Sequence, residues 1–388
     1  SGLMIRSFQA LRNVDPGFRN PTEVLLVRLS IPEAEIEEPV EVTQTHEILA
    51  RRLSEIPGVG IVGMSQSVTM DGYDSNDPIF VEGFPVAEGQ LPPIRRFKWI
   101  GENYFEAMQI PLITGRAIDL RDSYELHAVA TVTENFAREY WDSPNEAIGK
   151  RISTGLAAGA WSEIVGVVGN VRDNGLDQDA PAVVYWPMMQ RDLYSAFPGA
   201  DGEISFRRSM NYVIRSPRVG SPDFLTEVRA AIWGVNPNLP LARVRTLDEL
   251  LARSMARTSF SLIMLGIAAA VALILGAIGI YGVISYVVSQ RTRELGVRLA
   301  LGANASDVRG MVLRQGMILS GAGVLIGLGA AAGLTRLMGA LLYGVDPIDP
   351  LTFGLVAAAL TLVALLASYI PAAKASRIDP VEAIRFEL

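Results

Sequence analysis

The side chains best able to do covalent chemistry are sparse here, and none falls into a spacing that makes a site. His46 and His127 stand far apart and belong to no metal-ligand pattern such as His-Glu-x-x-His. Each reads as a surface or packed histidine. Gly149-Lys150 resembles the end of a P-loop, but Arg151 follows where Ser or Thr would hold magnesium. Pro144 also occupies the place of the first glycine. Gly58, Gly60 and Gly63 match Gly-x-Gly-x-x-Gly. That fingerprint must follow a strand and open a helix; here it follows a helical pattern and enters a strand, so these are turn and strand glycines. Gly63-Met64-Ser65-Gln66-Ser67 lacks the closing glycine of a nucleophile elbow. The chain has no cysteine, which excludes disulfides, thiolate metal sites and a cysteine nucleophile within it. No catalytic, cofactor-binding or metal site is expected, and no enzymatic activity.

The elements that remain are organised by charge. Of the 34 basic and 41 acidic residues, 11 and 7 lie from Leu251 onward, which leaves 23 and 34 before it. The first part is acidic and a poor fit for nucleic acid, whose phosphates need clustered Lys and Arg. The second part is basic, as membrane segments with cytoplasmic loops are. The chain opens at Ser1 with no signal-peptide pattern and reads as a segment of a longer polypeptide.

Residues 258–290, 315–335 and 350–373 carry no formal charge. A charge at a helix centre costs roughly 2.5–3.5 kcal/mol on insertion, and about 20 apolar residues suffice to span. Three transmembrane helices are expected, against the alternative of buried core helices, which would keep a polar face. The first stretch, at ~1.5 Å per residue, exceeds the ~30 Å hydrocarbon core. Its polar start, Thr258-Ser259-Phe260-Ser261, is expected to stand above the membrane as a helical stalk. Arg291, Arg293, Arg298, Arg309 and Arg314 separate spans one and two, and Lys374, Arg377 and Arg385 follow span three. The positive-inside rule puts both groups in the cytoplasm and everything before residue 258 outside. Gly276, Gly279 and Gly282 in span one, and Gly323, Gly327, Gly329 and Gly333 in span two, have the spacing of helix-packing positions. They fit either a shifting helix interface or static packing.

Before the spans, alternation predicts strands at 24–30, 60–68, 128–132, 162–168, 183–186 and 212–215. Helices are expected at 39–56, 100–108, 133–141 and 223–233, the third capped by the Thr133 side chain. Residues 71–88, rich in Gly, Asp and Pro, read as loop. Leu3, Met4, Ile5, Phe8 and Leu11 at helical spacing read as the outer end of a preceding transmembrane helix, or as a short amphipathic surface helix. The expected fold is an α+β extracytoplasmic domain followed by an all-α transmembrane domain of three helices.

Arg291-Thr292-Arg293-Glu294-Leu295-Gly296-Val297-Arg298-Leu299-Ala300-Leu301-Gly302-Ala303 after span one, and Tyr369-Ile370-Pro371 with Asp379-Pro380-Val381-Glu382-Ala383-Ile384 at the end, resemble the FtsX-like permease domain of ABC transporters. Gly101-Glu102-Asn103-Tyr104-Phe105 and Ile164-Val165-Gly166-Val167-Val168-Gly169-Asn170 resemble the MacB-like periplasmic core domain. The resemblance implies a preceding helix end at 1–14, a periplasmic core at 15–250 and a permease domain at 251–388. It implies a multi-pass protein of the bacterial inner membrane, with efflux or mechanotransmission as its work. Arg291, Arg293, Glu294, Leu295, Arg298, Leu299 and Leu301 would belong to a coupling helix on a separate ATP-binding subunit. Glu294 and Arg298 are an i,i+4 pair, and Leu295, Leu299 and Leu301 offer apolar anchors. The alternative is an amphipathic helix lying on anionic lipid. The implied partners are that subunit, a second permease half or homodimer copy, membrane lipid and a periplasmic protein, with no nucleic acid. Val14-Asp15-Pro16-Gly17-Phe18 resembles the second half of duplicated permeases. Two other readings stand beside the transporter: a signalling protein controlling a periplasmic partner, and an anchored hydrolase.

Overall fold

The computed structural model describes residue 6 and residues 11–87, 89–155, 160–193, 204–301, 304–337 and 350–375. The chain divides into two compact units, Val14–Ala256 and Ser1–Asn13 with Arg257–Leu388.

The first unit is α+β. Its strands are β1 (Val24–Ser30), β2 (Ile61–Ser65), β3 (Asn76–Val81), β4 (Ile94–Ile100), β5 (Leu112–Gly115), β6 (Val129–Thr133), β7 (Arg151–Thr154), β8 (Ser162–Val168), β9 (Val183–Pro187), β10 (Met189–Arg191), β11 (Ile204–Phe206), β12 (Ser209–Arg215) and β13 (Leu241–Thr246). Its helices are α1 (Pro39–Ser54), α2 (Tyr104–Met108), α3 (Leu120–Tyr124), α4 (Glu134–Tyr140) and α5 (Pro222–Val235).

Eleven strands join one sheet: ten run in the order β13-β1-β12-β2-β4-β3-β7-β8-β6-β9, β5 pairs with β8 off this path, and β4 also pairs with β9. That last pairing closes β4, β3, β7, β8, β6 and β9 into a ring, from which β2, β12, β1 and β13 extend as a wing. On β1 the period of two sorts the side chains. Leu25, Val27 and Leu29 pack with Val42, Leu49 and Leu53 of α1 and Phe224, Val228 and Ile232 of α5. Val24 and Leu26 join a second core with Tyr104, Phe105 and Met108 of α2. A third core fills the ring around Trp99, Val132, Phe136, Val167 and Trp186. The expected β-α-β unit is present with β12 inserted, antiparallel to both β1 and β2.

The sequence reading and the structure differ in several places: β5, β7, β10, β11, β13 and α3 have no counterpart in it, and the helix expected at 100–108 spans only Tyr104–Met108, with Ile100 ending β4. Residues 71–88, expected as loop, contain β3, because Ile79, Phe80 and Val81 pair with Thr154, Ser153 and Ile152 of β7. The cation-rich β4 gives no strand pattern in sequence; it pairs in parallel with β9, and its inward cations find an acid. Thr133 precedes α4 but makes no cap bond through its side chain. Its hydroxyl instead accepts from the Val183 N–H at 3.0 Å, and the Asn170 side chain accepts from the Asn135 N–H at 2.8 Å.

The other unit is helical. Its elements are α6 (Leu247–Gln290), whose first turns belong to the α+β unit, α7 (Thr292–Ala300), α8 (Ala305–Leu337) and α9 (Pro350–Ala375). Ile263–Gln290, Ser306–Leu334 and Phe353–Lys374 are long and apolar enough to cross a membrane. Their apolar side chains face outward, as Ile278 (60% exposed), Leu325 (73%) and Ile326 (75%) do, which suits a hydrocarbon solvent and not water. Residues 1–5, 7–10 and 376–388 lie outside the described residues, and with them most of the expected N-terminal helix end and the short C-terminal helix around Pro380.

Candidate coupling segment and helix seam

Between α6 and α8 the chain turns sharply. The Arg291 N–H donates to the Val287 and Val288 carbonyls, both at 3.2 Å, and the Leu295 N–H donates to the Arg291 carbonyl at 2.9 Å. The Thr292 hydroxyl donates to the Ser289 carbonyl at 2.9 Å. These bonds satisfy backbone groups that the break would orphan. They start α7 without an intervening loop.

One face of α7 is anchored. Leu295 is 3% exposed and packs with Ile284, Val308, Val312 and Ala372 from all three long helices of this unit. The opposite arc is open. Glu294 and Arg298 pair at 2.6 Å with both side chains close to half exposed. Val297 is 40% and Leu301 83% exposed, and Arg291, just before α7, is exposed as well. Arg298 also reaches the Met311 sulfur on α8 at 3.5 Å. The surface so made is mixed, with cations framing two apolar side chains. It can dock a partner by charge and packing and can do no covalent chemistry.

This arrangement corrects one expected contact. Leu295 offers no anchor to a partner, because its side chain is spent on the chain's own helices. Spacing alone does not separate Leu295 from Arg291, one turn earlier; the neighbouring helices bury the first and leave the second exposed. The side chains of Arg293 and Leu299 are outside the described ones. Val297 joins the outward arc, which the apolar-anchor reading passed over.

The glycines also fall differently from the expectation. A Cβ at Gly276, Gly279, Gly282, Gly323, Gly327, Gly329 or Gly333 would meet nothing within 4 Å among the described residues. Among the described residues, no neighbouring helix reaches the Cβ position of any of the seven. The close contact is at Gly316, where a Cβ would come 2.7 Å from the Ser368 hydroxyl oxygen and 3.5 Å from the Ile284 Cδ1. Facing it, Ala364, Ser368 and Ala372 are buried at successive i,i+4 positions of α9. This small-residue stripe was readable in the sequence at the same spacing that marked the other glycines.

In the α+β unit, Lys98 and Arg96 on β4 converge on Asp173. Lys98 Nζ lies 2.5 Å and Arg96 2.7 Å from its two oxygens, and Asp173 and Lys98 are almost wholly buried. Burial opposes the Lys98 charge, but the Asp173 carboxylate outweighs it and its pKa is raised. The Tyr104 hydroxyl beside them is buried, and burial raises its pKa. His46 is fully buried with Nδ1 2.7 Å from the Tyr212 hydroxyl, and burial lowers its pKa to about 4. His127 is half-exposed and faces Glu125 and Asp122 at 3.0 and 3.3 Å. Gly63 of the Gly-x-Gly-x-x-Gly run sits in β2 with the Asn103 carbonyl 2.6 Å from where a Cβ would be, so it serves close approach of α2. Among the described residues, no three His, Cys, Asp or Glu side chains group as metal ligands do.

The chain thus combines an α+β unit with three helices long and apolar enough to cross a membrane, and a short amphipathic helix follows the first of them. The FtsX-like permease C-terminal family matches residues 266–380. A probable export ATP-binding/permease protein MacB of Pseudomonas entomophila is 24% identical over 80% of this chain and 45% of its own length. The pyoverdine export ATP-binding/permease protein PvdT of the same organism is 35% identical over 37% of this chain and 22% of its own. The solved periplasmic region of MacB from Actinobacillus actinomycetemcomitans aligns over 62% of this chain and 96% of its own, at 14% identity and a TM-score of 0.37. Residues 266–380 thus match an FtsX-like permease domain, and most of the chain is similar to MacB export ATP-binding/permease proteins. The chain spans less than half the length of the curated MacB relatives it matches.

Proposed function

We propose that this chain is a permease subunit, or half of one, in which α7 receives motion from a separate ATP-binding subunit and the spans carry it to the extracytoplasmic domain. The supporting observation is the division of α7 into two arcs. Leu295 fastens the segment to the spans, so a push on it is transmitted, while Arg291, Glu294, Val297, Arg298 and Leu301 stand free to be pushed. Desolvated arginine and apolar side chains are the usual anchors of protein interfaces. The curated relatives are named ATP-binding/permease proteins, and the present chain has no P-loop. Under this reading it does no covalent chemistry, and export or mechanical signalling is its output. The arginines from 291 to 314 face the cytoplasm by the positive-inside rule. The outward glycines of α6 and α8 are offered to a second permease half or a second copy.

The deciding experiment is co-purification from native membranes with the double variant Val297→Asp, Leu301→Asp. An ATP-hydrolysing subunit should accompany the parent chain and be lost with the variant, while the variant stays monodisperse. If no ATPase accompanies the parent under several mild extractions, the coupling reading fails and an anchored protein acting on a periplasmic partner replaces it. The absence of cysteine allows a direct test of sidedness. Asn304→Cys should react with an impermeant maleimide from the cytoplasmic side only, and Glu33→Cys from the opposite side only.

A further inference from the structure

The wing of the α+β unit ends in a concentration of arginine that its own acids do not answer. Arg28 on β1 is directly opposite Arg243 on β13. Arg245 follows two residues on, opposite Leu26, and so shares their face of the sheet. Arg253 adds a fourth guanidinium from the first turns of α6. Like charges directly opposite one another on a sheet are destabilising, and the pair stands beside an irregularity in the β1–β13 register, between Arg28 and Leu29. None of the four arginines makes an ion pair or side-chain hydrogen bond among the described residues. The Arg245 pKa is lowered, first by burial and then by Arg243, with Arg253 and Arg28 adding to it and Asp71 opposing it. Arg28, Arg243 and Arg245 lie on the part of the chain where acids outnumber bases by 34 to 23.

The acids nearby are already engaged. Asp71 accepts from the backbone N–H groups of Val68 and Tyr73 at 2.9 and 2.8 Å. Asp173 is held by Lys98 and Arg96, and Asp74 by Arg96. Two open cavities lie against Arg28, Arg243 and Arg253. One, of about 450 Å³, is lined by Arg28, Arg243 and Asp71. The other, of about 500 Å³, is lined by Arg96, Arg253 and Asp173. They share Gly72 and Tyr73 as a common wall. Gly72 carries no side chain and has nothing within 4 Å of its Cβ position, so that wall leaves room for a ligand.

We propose that Arg28, Arg243, Arg245 and Arg253 form a binding site for a phosphate group. Four guanidinium groups facing one engaged carboxylate leave an excess of positive charge that a multiply charged oxyanion neutralises. The planar fork of arginine matches phosphate oxygens two at a time. A ligand supplies the counter-charge that the fold withholds, so the unliganded domain carries the repulsion. This is the stability cost that functional sites commonly bear. Arg253 stands ten residues before the first residue of span one, and both a phospholipid headgroup and a soluble phosphate ester present the required group.

The test uses the full chain in phosphatidylcholine nanodiscs and titrates inorganic pyrophosphate by calorimetry. Binding should weaken about tenfold with Arg243→Gln and again with Arg245→Gln, and only partly with Arg243→Lys. Arg229→Gln on the exposed face of α5 should leave it unchanged. Thermal unfolding without ligand should occur at the same or a higher temperature in Arg243→Gln, because a repulsion is removed; this separates lost binding from lost fold. Adding phosphatidylglycerol to the nanodiscs assigns the source. Competition with pyrophosphate marks a lipid headgroup, and unchanged pyrophosphate binding marks a soluble phosphate ester. No pyrophosphate binding by the parent chain, or equal binding by the Gln variants, overturns the proposal.

Discussion

The two units solve the burial of polar groups in opposite ways. The α+β unit buries charge and answers it: Lys98, Arg96 and Asp173 sit together with almost no exposure. The helical unit keeps charge off its spans and packs small residues instead, with Gly316 against Ser368 and Ala364 and Ala372 alongside. Water makes the first strategy necessary, because an inward strand of cations must find an acid or leave the core. Lipid makes the second sufficient, because apolar side chains gain nothing by leaving hydrocarbon and only close backbone approach favours one helix arrangement. A substitution should therefore be severe in the first unit when it unpairs charge, and in the second when it adds volume to the seam.

The largest effect is expected at Asp173. Asp173→Asn leaves the buried Lys98 with no carboxylate and Arg96 with Asp74 alone, and should cost about 3–5 kcal/mol of stability, read by denaturant unfolding of the detergent-solubilised chain. Adding Lys98→Met should recover part of it. If Asp173→Asn is neutral, the buried cluster is not the support described here.

His46 gives the pH dependence of the same unit. It stays neutral in the fold down to about pH 4, whereas its ordinary value is 6.5. Its lowered pKa means the folded state binds fewer protons than the unfolded chain between those values. Stability is complete above about pH 6.5 and falls by on the order of 3 kcal/mol as pH drops to about 4, with no further loss below from this group. His46→Phe should flatten that slope in thermal unfolding measured across the window.

Gly316→Leu should cost about 1–3 kcal/mol by overpacking the seam, whereas Gly327→Leu should change the chain's own packing little. Equal losses at both sites would sharpen the comparison differently, by showing that the outward glycines pack on another chain. The smallest effect belongs to the half-exposed pair on α7. Glu294→Gln should cost no more than about 0.5 kcal/mol, and a much larger loss in thermal unfolding would mean the pair supports the fold and not a docking surface.

Much of this was legible before any coordinates. Strand 162–168 and the α5 face with Phe224, Val228 and Ile232 follow from apolar periodicity alone and are found where expected. The spans follow from the absence of charge. What could not be read was long-range. Strand β4 carries Arg95, Arg96 and Lys98 within seven residues, and no local pattern announces the acid 75 residues away that admits Lys98. Thr133 looked like a helix cap because the next residues start a helix, but a hydroxyl serves whichever N–H arrives, and that of Val183 comes from a strand 50 residues on. The arginines of β1 and β13 are unremarkable one by one and become a cluster only when the two strands pair.

Composition and spacing by themselves determined that this chain has apolar segments fit to cross a membrane, an acidic α+β part before them and an arginine-rich segment between the first two spans. Those properties are sums over short windows, since insertion depends on the charges within about 20 residues and a strand or helix face on a period of two or 3.6. Tertiary structure alone decided which side of the segment is buried and which glycine touches a neighbouring helix. It also decided which cations are answered by an acid. Each of these is a relation between residues far apart in the chain, and a contact of 3 Å has no signature in sequence until the fold brings its two ends together.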